Sequence, residues 1–127
     1  MELEVHTIDG QQVAEGSPSQ LLVGNGSAVD EVLEFCFAHR VRLVLLHSDN
    51  LADDFFDLRS GMAGIVLQKF RTYRRQVAIV LSPTRELNDR FRELIAEENQ
   101  GPYVRFFAEL GTARHWLVSG PPAPDDR

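Results

Sequence analysis

Cysteine is almost missing from this chain: 127 residues contain only Cys36. A single thiol excludes an internal disulfide and any zinc site built on cysteines, and it suits a reducing compartment. Positive charge is in deficit, with 13 Lys and Arg against 19 Asp and Glu and a net charge of −6. Such a balance argues against non-specific binding to DNA, RNA or an anionic membrane face. No apolar run approaches the ~20 residues of a membrane-spanning helix. Glu2 and Glu4 open the chain with no apolar run after them, so no signal peptide is expected. No Gly-x-Gly-x-x-Gly or Walker pattern occurs, and His6, His39, His47 and His115 share no metal-ligand spacing. The expectation is a soluble cytoplasmic protein with no cofactor.

Hydrophobic residues make up 43% of the chain, enough for one globular core. Residues 2–8 alternate, Leu3 and Val5 against Glu2, Glu4 and His6, as a half-exposed strand does. Asp9-Gly10 predicts a two-residue hairpin turn, with Gln12 to Glu15 returning. A turn-rich connection leads to a helix over Ser27 to Arg40. Ser27 and Asp30 there have capping-box spacing, and Val29, Val32, Leu33 and Cys36 form one stripe. Residues 41–46 hold one polar residue, Arg42, and read as a strand buried on both faces. A polar loop over 47–60 precedes a second helix, about Ser60 to Tyr73, and a buried strand, Gln76 to Leu81. Ser82-Pro83-Thr84 predicts the start of a third helix with Thr84 as N-cap. Tyr103 to Phe107 reads as a last strand, and Leu110, Ala113, Trp116 and Leu117 line a last helix. The fold class is α/β: a mixed, mostly parallel central sheet with an N-terminal hairpin, in the order β-β-α-β-α-β-α-β-α. One domain over 1–119 and a disordered tail over 120–127 are expected.

Each chemically suggestive cluster has a plainer structural reading. Asp49, Asp53, Asp54 and Asp57, near His47 and Asn50, offer oxygen ligands of the kind that hold magnesium or calcium. Yet no glycine supplies the sharp turn of a calcium loop, and capping of the second helix by Asp57 or Ser60 accounts for two of these side chains. Phe55 and Phe56 predict one buried ring and one shown; two exposed rings would mark an interface. Gly61 and Gly64 suit the lead-in turn and a close helix–sheet approach. Lys69, Arg71, Arg74 and Arg75 complement a helix C-terminus, with no aromatic platform interleaved among them. His47-Ser48-Asp49 carries the residue types of a catalytic triad, but three sequence neighbours cannot converge on one reacting atom. Cys36 lies on an apolar helix stripe and reads as a small core residue.

The block Asp54-Phe55-Phe56-Asp57-Leu58-Arg59-Ser60-Gly61-Met62-Ala63-Gly64, followed by Leu67-Gln68-Lys69-Phe70 and Val77-Ala78-Ile79-Val80, resembles the bacterial family called domain of unknown function 4180. The resemblance runs from the first hairpin to about Leu117 and implies architecture without an activity. A more distant likeness is to STAS domains, the modules of anti-sigma-factor antagonists, in element order and in the loop-Gly-helix after a buried strand. Those antagonists carry an Asp-Ser-Ser-Gly motif whose serine a partner kinase phosphorylates. Here Ser60 matches the second serine, while Arg59 stands at the phosphorylated position and Leu58 at the aspartate's, with Asp57 one residue further out. Arginine offers no hydroxyl, and its charge is opposite to that of a phosphoserine.

The expectation is a non-catalytic binding or regulatory module. Its contact surface is the loop before the second helix, with Asp54, Phe55, Asp57, Arg59, Ser60 and Gly61 as binding residues and no catalytic or metal residue. The expected partner is a protein or a small anion, with homodimerisation through a sheet edge or the second helix as a further option, and without nucleic acid or membrane. The alternative is a metal-dependent hydrolase built on the acidic loop 49–57.

Overall fold

The structure is a computed structural model that describes residues 3–120. Of the tail expected over 120–127, all but Gly120 lies outside the described residues. Strands β1 (Leu3–Ile8), β2 (Gln11–Gly16), β3 (Leu43–His47), β4 (Gln76–Val80) and β5 (Val104–Phe107) form one sheet in sequential order. β1 and β2 pair antiparallel across Asp9 and Gly10, whose φ values of 48° and 80° are those of a tight hairpin turn. The pairs β2·β3, β3·β4 and β4·β5 are parallel.

Helices α1 (Val29–His39), α2 (Met62–Thr72) and α3 (Asp89–Glu98) are the crossovers, and α4 (Leu110–Ser119) follows β5. Sequential strand order with crossovers of one hand sends all three crossover helices to one face. That face holds the larger core, in which Val32, Cys36, Val66, Phe70 and Phe91 meet Val44, Leu46, Val77 and Ile79. The other face carries Val13, Leu43, Leu45 and Ala78 under Ala113, Trp116 and Leu117 of α4. Strand periodicity therefore fills both sides of β3 and β4, as their uninterrupted apolar runs require.

Two helix starts differ from expectation. Ser27 and Asp30 make no capping box. Asn25 instead caps a 3₁₀ turn over Gly26–Ala28, its Oδ1 accepting from the N–H groups of Ser27 and Ala28, and α1 begins after it. Asp30 is drawn away to Lys69 Nζ on α2 at 2.7 Å. Thr84 does not start α3 either. Residues 82–85 form a turn, and Asn88 caps the helix by accepting from Phe91 N–H at 2.9 Å. Arg85, in the segment before α3, is engaged by Asp53 and by the Phe56 ring of the loop after β3.

Among the described residues no helix is long and apolar enough to cross a membrane.

Candidate functional site

The long loop after β3 lies at the carboxyl edge of the parallel strands, because α2 must run back to start β4. Its first part is tied down from within. Asn50 is fully buried, and its Nδ2 donates to Ser17 O and Gln20 O at 2.7 and 2.6 Å while its Oδ1 accepts from His47 N–H at 2.7 Å. One amide thus joins the ends of β2 and β3. Gly16 leaves it room: a Cβ there would fall 2.5 Å from Asn50 Oδ1. Ser48, also buried, accepts from Ser82 N–H at 2.9 Å and links the ends of β3 and β4.

The second part, residues 53–61, is two successive 3₁₀ turns, Asp53–Phe56 and Leu58–Ser60. Neither phenylalanine is exposed, so the expected shown ring is absent and Phe55 cannot touch a partner. Phe55 meets Phe56, Phe91 and Phe106 at centroid distances of 5.1, 5.7 and 6.4 Å. This aromatic cluster plugs the loop into the core, and the favourable geometry adds to the burial of the rings.

The remaining expected contact residues lie above that plug. Asp57 Oδ1 accepts from the Arg59 N–H at 3.1 Å and caps the second turn, and its carboxylate also pairs with the Arg59 guanidinium at 3.2 Å. These hydrogen bonds hold the Asp57 carboxyl below the usual carboxylate range. Ser60 Oγ accepts from Met62 N–H at 3.1 Å and donates to the Asp54 carbonyl, closing the loop on the first turn of α2. Gly61 has φ of 78°, a left-handed conformation that a side chain would strain. Asp54, Arg59, Ser60 and Gly61 are exposed, the Arg59 side chain at 91%. Gly64 is exposed on α2 with nothing near its missing Cβ, so the expected close approach to the sheet is not its role.

Beside the loop, Asp49, Asp53, Ser82, Thr84, Arg85 and Glu86 line an open cleft of about 300 Å³. Arg85 Nη2 reaches Asp53 at 2.6 Å, and its guanidinium lies 4.3 Å over the Phe56 ring. Deep crevices in α/β sheets form where neighbouring connections leave toward opposite faces. Here the connections from β2, β3 and β4 all turn to one face, so the cleft stays shallow. Among the described residues no three His, Cys, Asp or Glu side chains converge as metal ligands.

This chain matches the family model described as Domain of unknown function (DUF4180) over residues 8–117. The chain belongs to this family. No curated protein and no solved structure matches it.

The DUF4180 domain holds a second polar group at the same edge, on the α4 side, which sequence reading did not assemble. Arg114 Nη2 donates to Glu15 at 3.0 and 3.3 Å. His47 lies within electrostatic reach of both, and burial lowers its pKa, with the Glu15 charge opposing. His47 Nε2 and Arg114 Nε are buried and have no hydrogen-bond partner among the described residues. Ninety-nine positions separate Glu15 from Arg114, so no local pattern announces the pair. Asn50 was equally silent: an asparagine after a strand reads as a turn residue, and nothing nearby signals its burial.

Proposed function

We propose that the domain is a non-catalytic binding or regulatory module that recognises a protein partner or a small anion through residues 54–61. One observation carries this reading. The loop is held in a single shape by buried rings below and by its own hydrogen bonds, yet Asp54, Arg59 and Ser60 remain exposed. A surface whose backbone is already ordered loses little conformational entropy on binding. The distant likeness to STAS antagonists belongs to the same reading, since their regulatory loop also precedes a helix after a buried strand. Arg59 then acts as a permanent cation at the regulatory position and suits an acidic group on the partner.

The hydrolase reading on loop 49–57 has less to support it. Asp53 is engaged by Arg85 and Asp57 by Arg59, so each has a cation where a catalytic metal would need a shared ligand set.

The test is affinity capture with the intact chain, compared with Asp57→Ala and Arg59→Ala, after each variant is shown to melt near the wild type. Loss of one and the same captured species with both substitutions supports the loop. Equal recovery with all three proteins rules it out.

A further inference from the structure

The opposite, amino-terminal edge of the sheet carries a surface of another kind. α1 and α2 end in the same motif. Val41 N–H reaches Cys36 O and Arg40 N–H reaches Phe37 O; Arg75 N–H reaches Phe70 O and Arg74 N–H reaches Arg71 O. Such helix ends place their closing residue in the left-handed region, where glycine is usual. Here both closing residues are arginines, Arg40 at φ 55° and Arg74 at φ 56°. Each tolerates backbone strain at a place where it also delivers a positive charge. Arg42 lies two residues beyond Arg40 and Arg75 directly follows Arg74, so four arginines stand at the starts of β3 and β4 in a chain whose net charge is −6, Arg74 among them already engaged.

The aromatic platform missing from the local sequence is supplied by the fold. Phe37 of α1 and Tyr73 after α2 are 50% and 47% exposed and meet edge-on at 5.8 Å. The Arg75 guanidinium lies 4.6 Å over Phe37, and its Nε is buried without a hydrogen-bond partner among the described residues. Arg42 donates to the neutral Gln76 at 2.8 Å, and Arg40 makes no ion pair among the described residues. Lys69 and Arg71 differ, being paired with Asp30 and Glu98. From the aromatic pair a groove of about 290 Å³ runs between α1 and α2 past Leu33 to Asp30, Glu34 and Lys69.

We infer that this edge binds an acidic peptide segment of a partner protein, with carboxylates on Arg40, Arg42 and Arg75 and an apolar side chain in the groove beside Phe37 and Tyr73. Charge complementarity selects the occupant. Nucleic acid fits poorly, because Arg75 covers a face of Phe37 and the two rings stand at 79°, leaving no parallel platform for bases. An extended anionic membrane face would meet Asp30 and Glu34 in the same groove. A short peptide reaches the arginines at one end and keeps its charges away from those carboxylates. This surface is separate from the loop 54–61, and its test does not depend on that loop.

The experiment is fluorescence anisotropy of a labelled glutamate-rich peptide with a central phenylalanine, titrated with the full chain, Arg40→Gly and Arg42→Ala. The wild type is expected to bind, more weakly as salt rises. Each variant is expected to bind about fivefold more weakly, the scale of one exposed ion pair. Arg40→Gly is expected to melt no lower than the wild type, because glycine suits the left-handed position, so its lost binding is not lost folding. No binding by the wild type, or equal binding by Arg40→Gly, overturns the inference. So does a dimer in light scattering that Arg40→Gly dissolves, which would make the surface a self-interface. Tighter peptide binding by the full chain carrying Asp125→Asn and Asp126→Asn would also overturn it, by giving the surface to the chain's own terminus.

Discussion

The two ends of the sheet solve the same problem with different chemistry. Every parallel strand here must be entered and left by a loop, and each loop has backbone groups to satisfy. At the carboxyl edge they are satisfied by buried side chains: Asn50 binds Ser17 O, Gln20 O and His47 N–H, and Ser48 receives Ser82 N–H. At the amino edge they are satisfied by helix-closing backbone bonds, so that no buried side chain is spent on the turns that Arg40 and Arg74 close. The first edge is rigid and mixed in sign, and the second is cationic with rings exposed. The difference shows that loop backbone can be closed either by buried side chains or by the helix ends themselves, and that the choice sets the chemistry left at each edge.

The comparison is broken most severely by removing the plug under the carboxyl edge. Phe55→Ala is expected to cost about 3–5 kcal/mol, the range for a large-to-small change in a packed core. Urea denaturation followed by far-ultraviolet circular dichroism measures this. Trp116, the only tryptophan, packs from α4 onto the opposite face and gives an independent fluorescence probe. Coincident curves would show that the two layers unfold together.

Asn50→Ala comes next. It removes the partner of the Gln20 carbonyl and of the His47 N–H, bonded at 2.6 and 2.7 Å, and one of the two donors to the Ser17 carbonyl, which keeps the Gln20 N–H. Each buried group left unmet costs about 1–3 kcal/mol, so a loss near 3 kcal/mol is expected after partial rehydration. A loss below about 1 kcal/mol in the same urea experiment would mean that the edge is not held by this amide.

The smallest effect is on pH dependence. Burial lowers the pKa of His47 below the ordinary 6.5. Between that lowered value and 6.5 the unfolded chain binds more protons than the folded one, so stability rises with pH through this window and falls as the solution is acidified. His47→Gln is expected to flatten that slope below pH 6.5 in melts at a series of pH values. An unchanged slope would assign the dependence to other groups.

Much of the fold was legible because it rests on local patterns. Alternation marked β1, Asp9-Gly10 marked the hairpin, and uninterrupted apolar runs marked β3 and β4 as doubly buried. The glycine before α2 marked a left-handed lead-in, and Gly61 at φ 78° is that turn. What was misread depended on distant partners. Phe55 and Phe56 are both buried because Phe91 and Phe106 complete their cluster from elements far along the chain. Thr84 lost the start of α3 to Asn88 while Arg85 was engaged by Asp53 and Phe56. Phe37 and the arginines after α2 were unrelated in sequence and became neighbours only when α1 and α2 packed side by side.

By itself, then, the order of residues determined the kinds of elements, their sequence and the parallel sheet they build, since periodicity and turn chemistry act over a few positions. Only tertiary packing decided which rings were buried, which carboxylates found cations, and which arginines came to stand beside exposed rings. Those outcomes depend on groups tens of residues apart, whose desolvation and pairing energies exist only once the layers have closed.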